Sequence, residues 1–185
     1  MIPVLFPPRP LGEHRAVRAA WRTGTCLAVT LLIAGCSMLP GGSSGPSAAA
    51  SSEIAALGPL PDVPGVAPPD TPAEAWKMQF AQALHEHQPG KIFEGIPPNP
   101  LYAIIVLEIE LDAKGGLRSV RNMRAPAHGA KERDAAIASV RAGGPYPAPP
   151  RIMLKNGVAK FTETWLFDNQ RKFRLRSIAA EQSFD

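Results

Sequence analysis

Tyr102-Ala103-Ile104-Ile105-Val106-Leu107-Glu108-Ile109-Glu110-Leu111 runs directly into Asp112-Ala113-Lys114-Gly115-Gly116. Side chains along a strand point alternately to its two faces. Ile105, Leu107, Ile109 and Leu111 therefore take one face, and Val106, Glu108 and Glu110 take the other. The first face belongs in a core, and the second presents two carboxylates to solvent. Alternation of this kind marks an antiparallel sheet with one wet side. The glycines after the short polar run supply positive φ for a turn, so residues 117–123 return as a second strand. Arg118, Arg121 and Arg124 accompany that strand, and some come within reach of the glutamates. Such exposed cross-strand pairs are worth under about 1 kcal/mol.

Upstream, Thr71-Pro72-Ala73-Glu74 has the form of a helix start, with Thr as N-cap, Pro at the first helical position and Glu completing a capping box. Trp76, Phe80 and Leu84 follow at i, i+4 and i+8, one apolar stripe, until Gln88-Pro89-Gly90 ends the helix. Downstream, Ala130–Ala142 reads as a second helix burying Ala136, Ile137 and Val140, stopped by Gly143-Gly144-Pro145. Tyr146-Pro147-Ala148-Pro149-Pro150 is a rigid extended connector. Val158–Phe167 forms a third strand with Phe161, Trp165 and Phe167. Asp168-Asn169-Gln170-Arg171 turns the chain into a shorter fourth strand over residues 173–178. The order is α-β-β-α-β-β. This predicts an α+β domain over residues 71–185, a small antiparallel sheet of three to four strands with two helices on one face.

The front of the chain has a different character. Arg9, Arg15, Arg18 and Arg22 precede the apolar run from Cys26 to Ala34, and small residues lead to Cys36. Basic start, short apolar stretch and small-residue cleavage site mark a secretory signal over residues 1–35. The apolar run has nine residues, about half of the roughly 20 that span a bilayer. Residues 36–70 follow, rich in Pro, Ser, Gly and Ala and poor in large apolar side chains. They read as a disordered tether that cannot offset its ordering entropy, with Pro keeping its second half semi-extended. A packed loop is the competing expectation.

Charge excludes one class of partner. The chain has 20 basic and 16 acidic side chains, but four Arg and Glu13 leave with the signal, so 16 and 15 remain. A near-neutral mature chain gives no ground for nucleic-acid binding. No catalytic, metal or cofactor site is expected. His85 and His87 stand two apart on a helix and cannot share one ion, so a solvated pair at a helix end is expected. His128 reads as a turn or capping residue, and Glu108 and Glu110 as salt-bridged surface. No G-x-S-x-G elbow is present, and Gly115-Gly116 joins two strands rather than opening a phosphate-binding helix.

Ile33-Ala34-Gly35-Cys36 resembles the lipobox of bacterial lipoproteins. The resemblance implies cleavage between Gly35 and Cys36 and lipid on the Cys36 sulfur; ordinary cleavage with a free thiol is the plainer alternative. Lipidation makes the membrane a partner, and two or more acyl chains hold a protein stably. In well-studied lipoproteins an Asp after the cysteine favours the inner membrane. Ser37 stands there, so the periplasmic face of the outer membrane is expected.

Residues 107–117, Arg133-Asp134-Ala135-Ala136-Ile137-Ala138-Ser139-Val140 and the Tyr146–Pro150 connector, in that order and spacing, resemble the TonB/TolA C-terminal domain family. The resemblance covers residues 101–167 and implies a small sheet with two helices on one face. It also implies binding of extended segments of periplasmic or envelope proteins along a sheet edge, with no catalytic residues. The edge would be the last long strand, with Val158, Lys160, Thr162, Thr164 and Phe167, joined by Phe173 and Leu175. Energy transducers of the family have an inner-membrane helix where this chain has a lipobox. The expectation is therefore a lipid-anchored binding or scaffolding module, the alternative being an energy-transduction partner of inner-membrane motor proteins. Residues 173–178 are expected to hydrogen-bond to the preceding strand and so fill the edge where a partner would dock.

Overall fold

The computed structural model describes residues 47–182; the signal, the lipobox and Cys36 lie outside the described residues. The first of three helices, α1, spans Ala48–Ala56, with the Ser47 hydroxyl accepting from the Ala50 amide. Helix α2 spans Pro72–Glu86, and its capping box forms as the sequence demands. The Thr71 hydroxyl accepts from the Glu74 amide at 3.2 Å, and the Glu74 carboxylate accepts from the Thr71 amide at 3.1 Å. Strand β1 (Ala103–Asp112) turns into β2 (Leu117–Arg124), and α3 (Ala130–Ala142) follows. A short β3 (Leu154–Lys155), a long β4 (Val158–Phe167) and a three-residue β5 (Phe173–Leu175) complete an open antiparallel sheet. Its order is β2-β1-β4-β3, with β5 also on β4.

The alternation in β1 works as written. Ile105, Leu107, Ile109 and Leu111 are wholly buried, and α2 and α3 cover that face with Trp76, Phe80, Leu84, Ala136 and Val140. On the outer face the Glu108 carboxylate pairs with Arg121, and Lys160 reaches Glu110 at 2.7 Å and Glu108 at 3.4 Å. The aromatic connector is pinned at three points. The Tyr146 hydroxyl donates to the Val140 carbonyl at 2.6 Å, the Tyr146 amide to the Gly115 carbonyl, and the Trp76 indole to the Pro147 carbonyl.

Three expectations need correction. The sheet has five strands and the described chain three helices, because β3 adds a two-residue hairpin arm and α1 precedes the two expected helices. The fourth strand ends at Leu175: residues Arg176–Ile178 turn as a 3-10 helix that buries Ile178. The segment expected as a disordered tether is structured from Ser47 onward. Its Ala-rich run forms α1, and Leu57, Val63 and Val66 pack against the rim of the core.

Candidate functional site

Strand β4 has two unlike sides. Toward β1 it is paired without a break, from Ala103 opposite Phe167 to Asp112 opposite Val158. Its other side is covered only at the ends. There β3 sets Lys155 opposite Val158 across the turn Asn156-Gly157, whose positive φ values of 53° and 75° are those of a type I′ hairpin. At the far end β5 sets Phe173, Arg174 and Leu175 opposite Phe167, Leu166 and Trp165. Residues 160–164 have no strand partner on this side.

The hydrogen bonds at the β5 end show which groups face the opening. Phe173 donates to the Lys91 carbonyl and accepts from the Phe93 amide, both away from β4, while the Asp168 amide donates to the Lys172 carbonyl. Leu166 and Arg174 are therefore the pair that bond each other, and alternation turns the amide groups of Thr164, Thr162 and Lys160 to the open side. One of these donors is already used, since the Thr164 N–H donates to the Glu163 carboxylate at 2.7 Å.

Glu163 stands between Phe161 and Trp165 in the alternation, so its carboxylate points to the core face and is only 4% exposed. Its second oxygen accepts from the Ser177 hydroxyl, tying the 3-10 turn to β4. Burial pushes its pKa up, opposed by the Ser177 and Thr164 hydrogen bonds and the positive field of Lys77. A groove of about 440 Å³ runs beside it, lined by residues 66–70 together with Lys77, Met78, Arg176 and Ser177. The arrangement offers an extended chain main-chain partners at Thr162 and Lys160 and a groove beside them.

The expected edge residues therefore divide. Lys160 and Thr162 are exposed and Thr164 is half-buried, all three within the open window. Val158 lies at its end, already opposite Lys155 of β3. Phe167, Phe173 and Leu175 are core residues with at most 2% exposure, because their faces of β4 and β5 pack inward; their side chains cannot contact a partner. Gly35 and Cys36 lie outside the described residues. The histidines separate too. His85 is half-buried, and its Nε2 accepts from the Leu175 amide at 3.3 Å, whereas His87 bonds only the Ala83 carbonyl one turn back. His128 bonds the Tyr102 carbonyl at 2.9 Å and so closes the loop before α3.

Glu163 was the residue missed, although its signal was present: a carboxylate at a core-face position between two buried aromatics. Ser177 had none, since its role depends on where the tail folds back. Among the described residues no cluster of His, Cys, Asp or Glu could hold a metal ion, and no helix is long and apolar enough to cross a membrane. Compared with known proteins, the chain matches no family model, no curated protein and no solved structure.

Proposed function

We propose that this chain is a lipid-anchored binding or scaffolding module of the cell envelope. It takes an extended segment of a periplasmic or envelope protein as an added strand at residues 160–164. The observation that carries the reading is the unpaired window in β4, in a sheet whose other edge is guarded. On that other edge, β2 bulges twice against β1, at Met123 and at Arg118, and carries Arg118, Arg121 and Arg124. Bulges and charge are the usual devices that keep an edge strand from pairing. Strand addition needs main-chain groups and no catalytic side chain, and pockets beside the edge supply selectivity. The lipobox-like Ile33-Ala34-Gly35-Cys36 supports anchoring through Cys36 at the periplasmic face of the outer membrane. The resemblance to TonB/TolA C-terminal domains supports recognition at this edge.

A photo-crosslinker at Lys160 in intact cells, read by mass spectrometry, tests this with Thr162→Pro as the control. Proline removes an amide hydrogen that points away from β1, which an edge position tolerates. The expected outcome is a discrete envelope partner whose capture is lost in Thr162→Pro while the thermal midpoint stays nearly unchanged. Equal capture by the proline variant, or the same partner captured from Met123 on β2, sinks the reading.

A further inference from the structure

Residues 57–69 repeat with a period that fits neither helix nor strand. Leu57, Leu60, Val63, Val66 and Pro69 are half-buried at every third position, and nearly all the residues between them are exposed. Three residues per turn is the repeat of polyproline II, which Pro59, Pro61, Pro64 and Pro68 favour. One β-turn interrupts it, where the Val66 amide donates to the Val63 carbonyl at 3.1 Å and Gly65 adopts φ 78°. The segment lies along α2, whose Gln79 amide donates to the Leu57 carbonyl at 2.9 Å and the Pro59 carbonyl at 3.2 Å. Farther on, a Cβ on Gly65 would lie 3.0 Å from the Ala180 Cβ of the tail, and residues 66–70 line the groove beside the β4 window. Helix α1, immediately before, buries no residue. A row of half-buried side chains, the bridging Gln79 amide, the Asp70 amide on the Glu74 carboxylate and a helix α1 that touches α2 without burying a residue make a shallow attachment, of the kind that opens locally below the free energy of global unfolding.

Attachment changes how far the domain can stand from Cys36. Ser47 lies 11 positions beyond Cys36, and Asp70 lies 34 positions beyond it. At full extension these span at most about 40 Å and about 120 Å. We propose that residues 48–70 are a releasable strap that sets the reach of the domain: docked on α2 it holds the domain close to the membrane, and released it roughly triples the length available. Release also removes the part of the groove lining at Thr162–Thr164 that residues 66–70 supply, so reach and access to the window change together. The proposal rests on lipid anchoring at Cys36.

The test uses the mature lipidated chain on phosphatidylethanolamine–phosphatidylglycerol vesicles. Lipid blocks Cys36, so Pro61→Cys and Glu86→Cys, which line one groove between strap and α2, can be labelled specifically. Single-molecule energy transfer between them reads docking, and transfer from Glu86→Cys to labelled lipid reads height. The wild type is expected to alternate between a dominant high-transfer state and brief low-transfer excursions. Val63→Asp with Val66→Asp places two charges at docked apolar positions and should raise the low-transfer population about tenfold or more, with height increasing in step. A wild type without excursions, whose high-transfer state persists in the double variant, makes the strap a fixed part of the domain and overturns the proposal. Undocking with no gain in height overturns it equally. Failure of the anchoring reading looks different: the wild type leaves the vesicles while the thiol pair still reports docking, and the reach mechanism falls with it.

Discussion

His85, half-buried, and Glu163, buried, are two titratable side chains that tilt stability in opposite directions. His85 accepts the Leu175 amide through Nε2, and its pKa is lowered to about 4, first by burial and then by Arg174. The neutral ring is the folded form. Its contribution is complete above the ordinary value of 6.5 and is lost as pH falls from there toward 4. Between pH 7 and pH 5 this group should cost the fold about 2 kcal/mol. Urea unfolding at the two pH values should show that loss, and His85→Leu should lack it. Glu163 has the reverse sign, since burial raises its pKa. Its contribution is complete below the ordinary carboxyl range and is lost as pH rises through the folded value. Glu163→Gln removes that titration, so the variant should gain stability relative to wild type on going from pH 5 to pH 8. A difference between the two proteins that stays flat over that range would show that the buried carboxylate carries no net penalty.

Elements were legible where their signal is long and local. The ten-residue alternation of β1 and the capped apolar stripe of α2 specify their faces without reference to anything distant, and both fold as written. β5 was not legible at its end, because Ile178 reaches the core only when Arg176–Ile178 leave the strand as a 3-10 turn. That departure leaves the middle of β4 open, so the candidate site turns on a tertiary event that no alternation encodes. The strap was missed for another reason: its period is three, and templates of 3.6 and 2 pass over it. The glycine turns divide likewise. Both Gly115 and Gly157 adopt positive φ, but a Cβ on Gly115 would lie 1.9 Å from the Tyr146 carbonyl oxygen, while one on Gly157 would meet nothing within 4 Å. Gly157→Ala should therefore cost only the left-handed backbone, about 1–2 kcal/mol. Gly115→Ala must also push the Tyr146 connector away from the β1–β2 turn and should cost about 3 kcal/mol or more. Thermal midpoints of the two variants side by side decide this, and equal losses would mean that the connector yields freely.

At the scale of the whole molecule, the proposed anchor and the fold would depend on separate parts of the chain. The two cysteines, Cys26 and Cys36, both precede Ser47, so the described domain holds together without a disulfide. Its cohesion comes from one cluster in which Trp76, Phe80, Phe161, Trp165 and Phe167 join the inner face of the sheet to α2 and α3. Membrane attachment, on the proposed reading, rests on a single sulfur, and each buried acyl CH₂ contributes about 0.8 kcal/mol to it. Replacing that sulfur should therefore abolish attachment and leave the fold intact. Cys36→Ser should move from the detergent phase to the aqueous phase on partitioning. Its unfolding midpoint, measured on the purified chain, should match that of wild type in which the lipid has been cleaved away. A variant that still enters detergent shows that something other than lipid on Cys36 holds the protein, and the lipoprotein reading then fails. A variant that turns aqueous but unfolds at lower denaturant ties the anchor to the fold. It would mean that the residues ahead of α1 help hold the domain together, and that the strap is continuous with the core rather than an extension to be released.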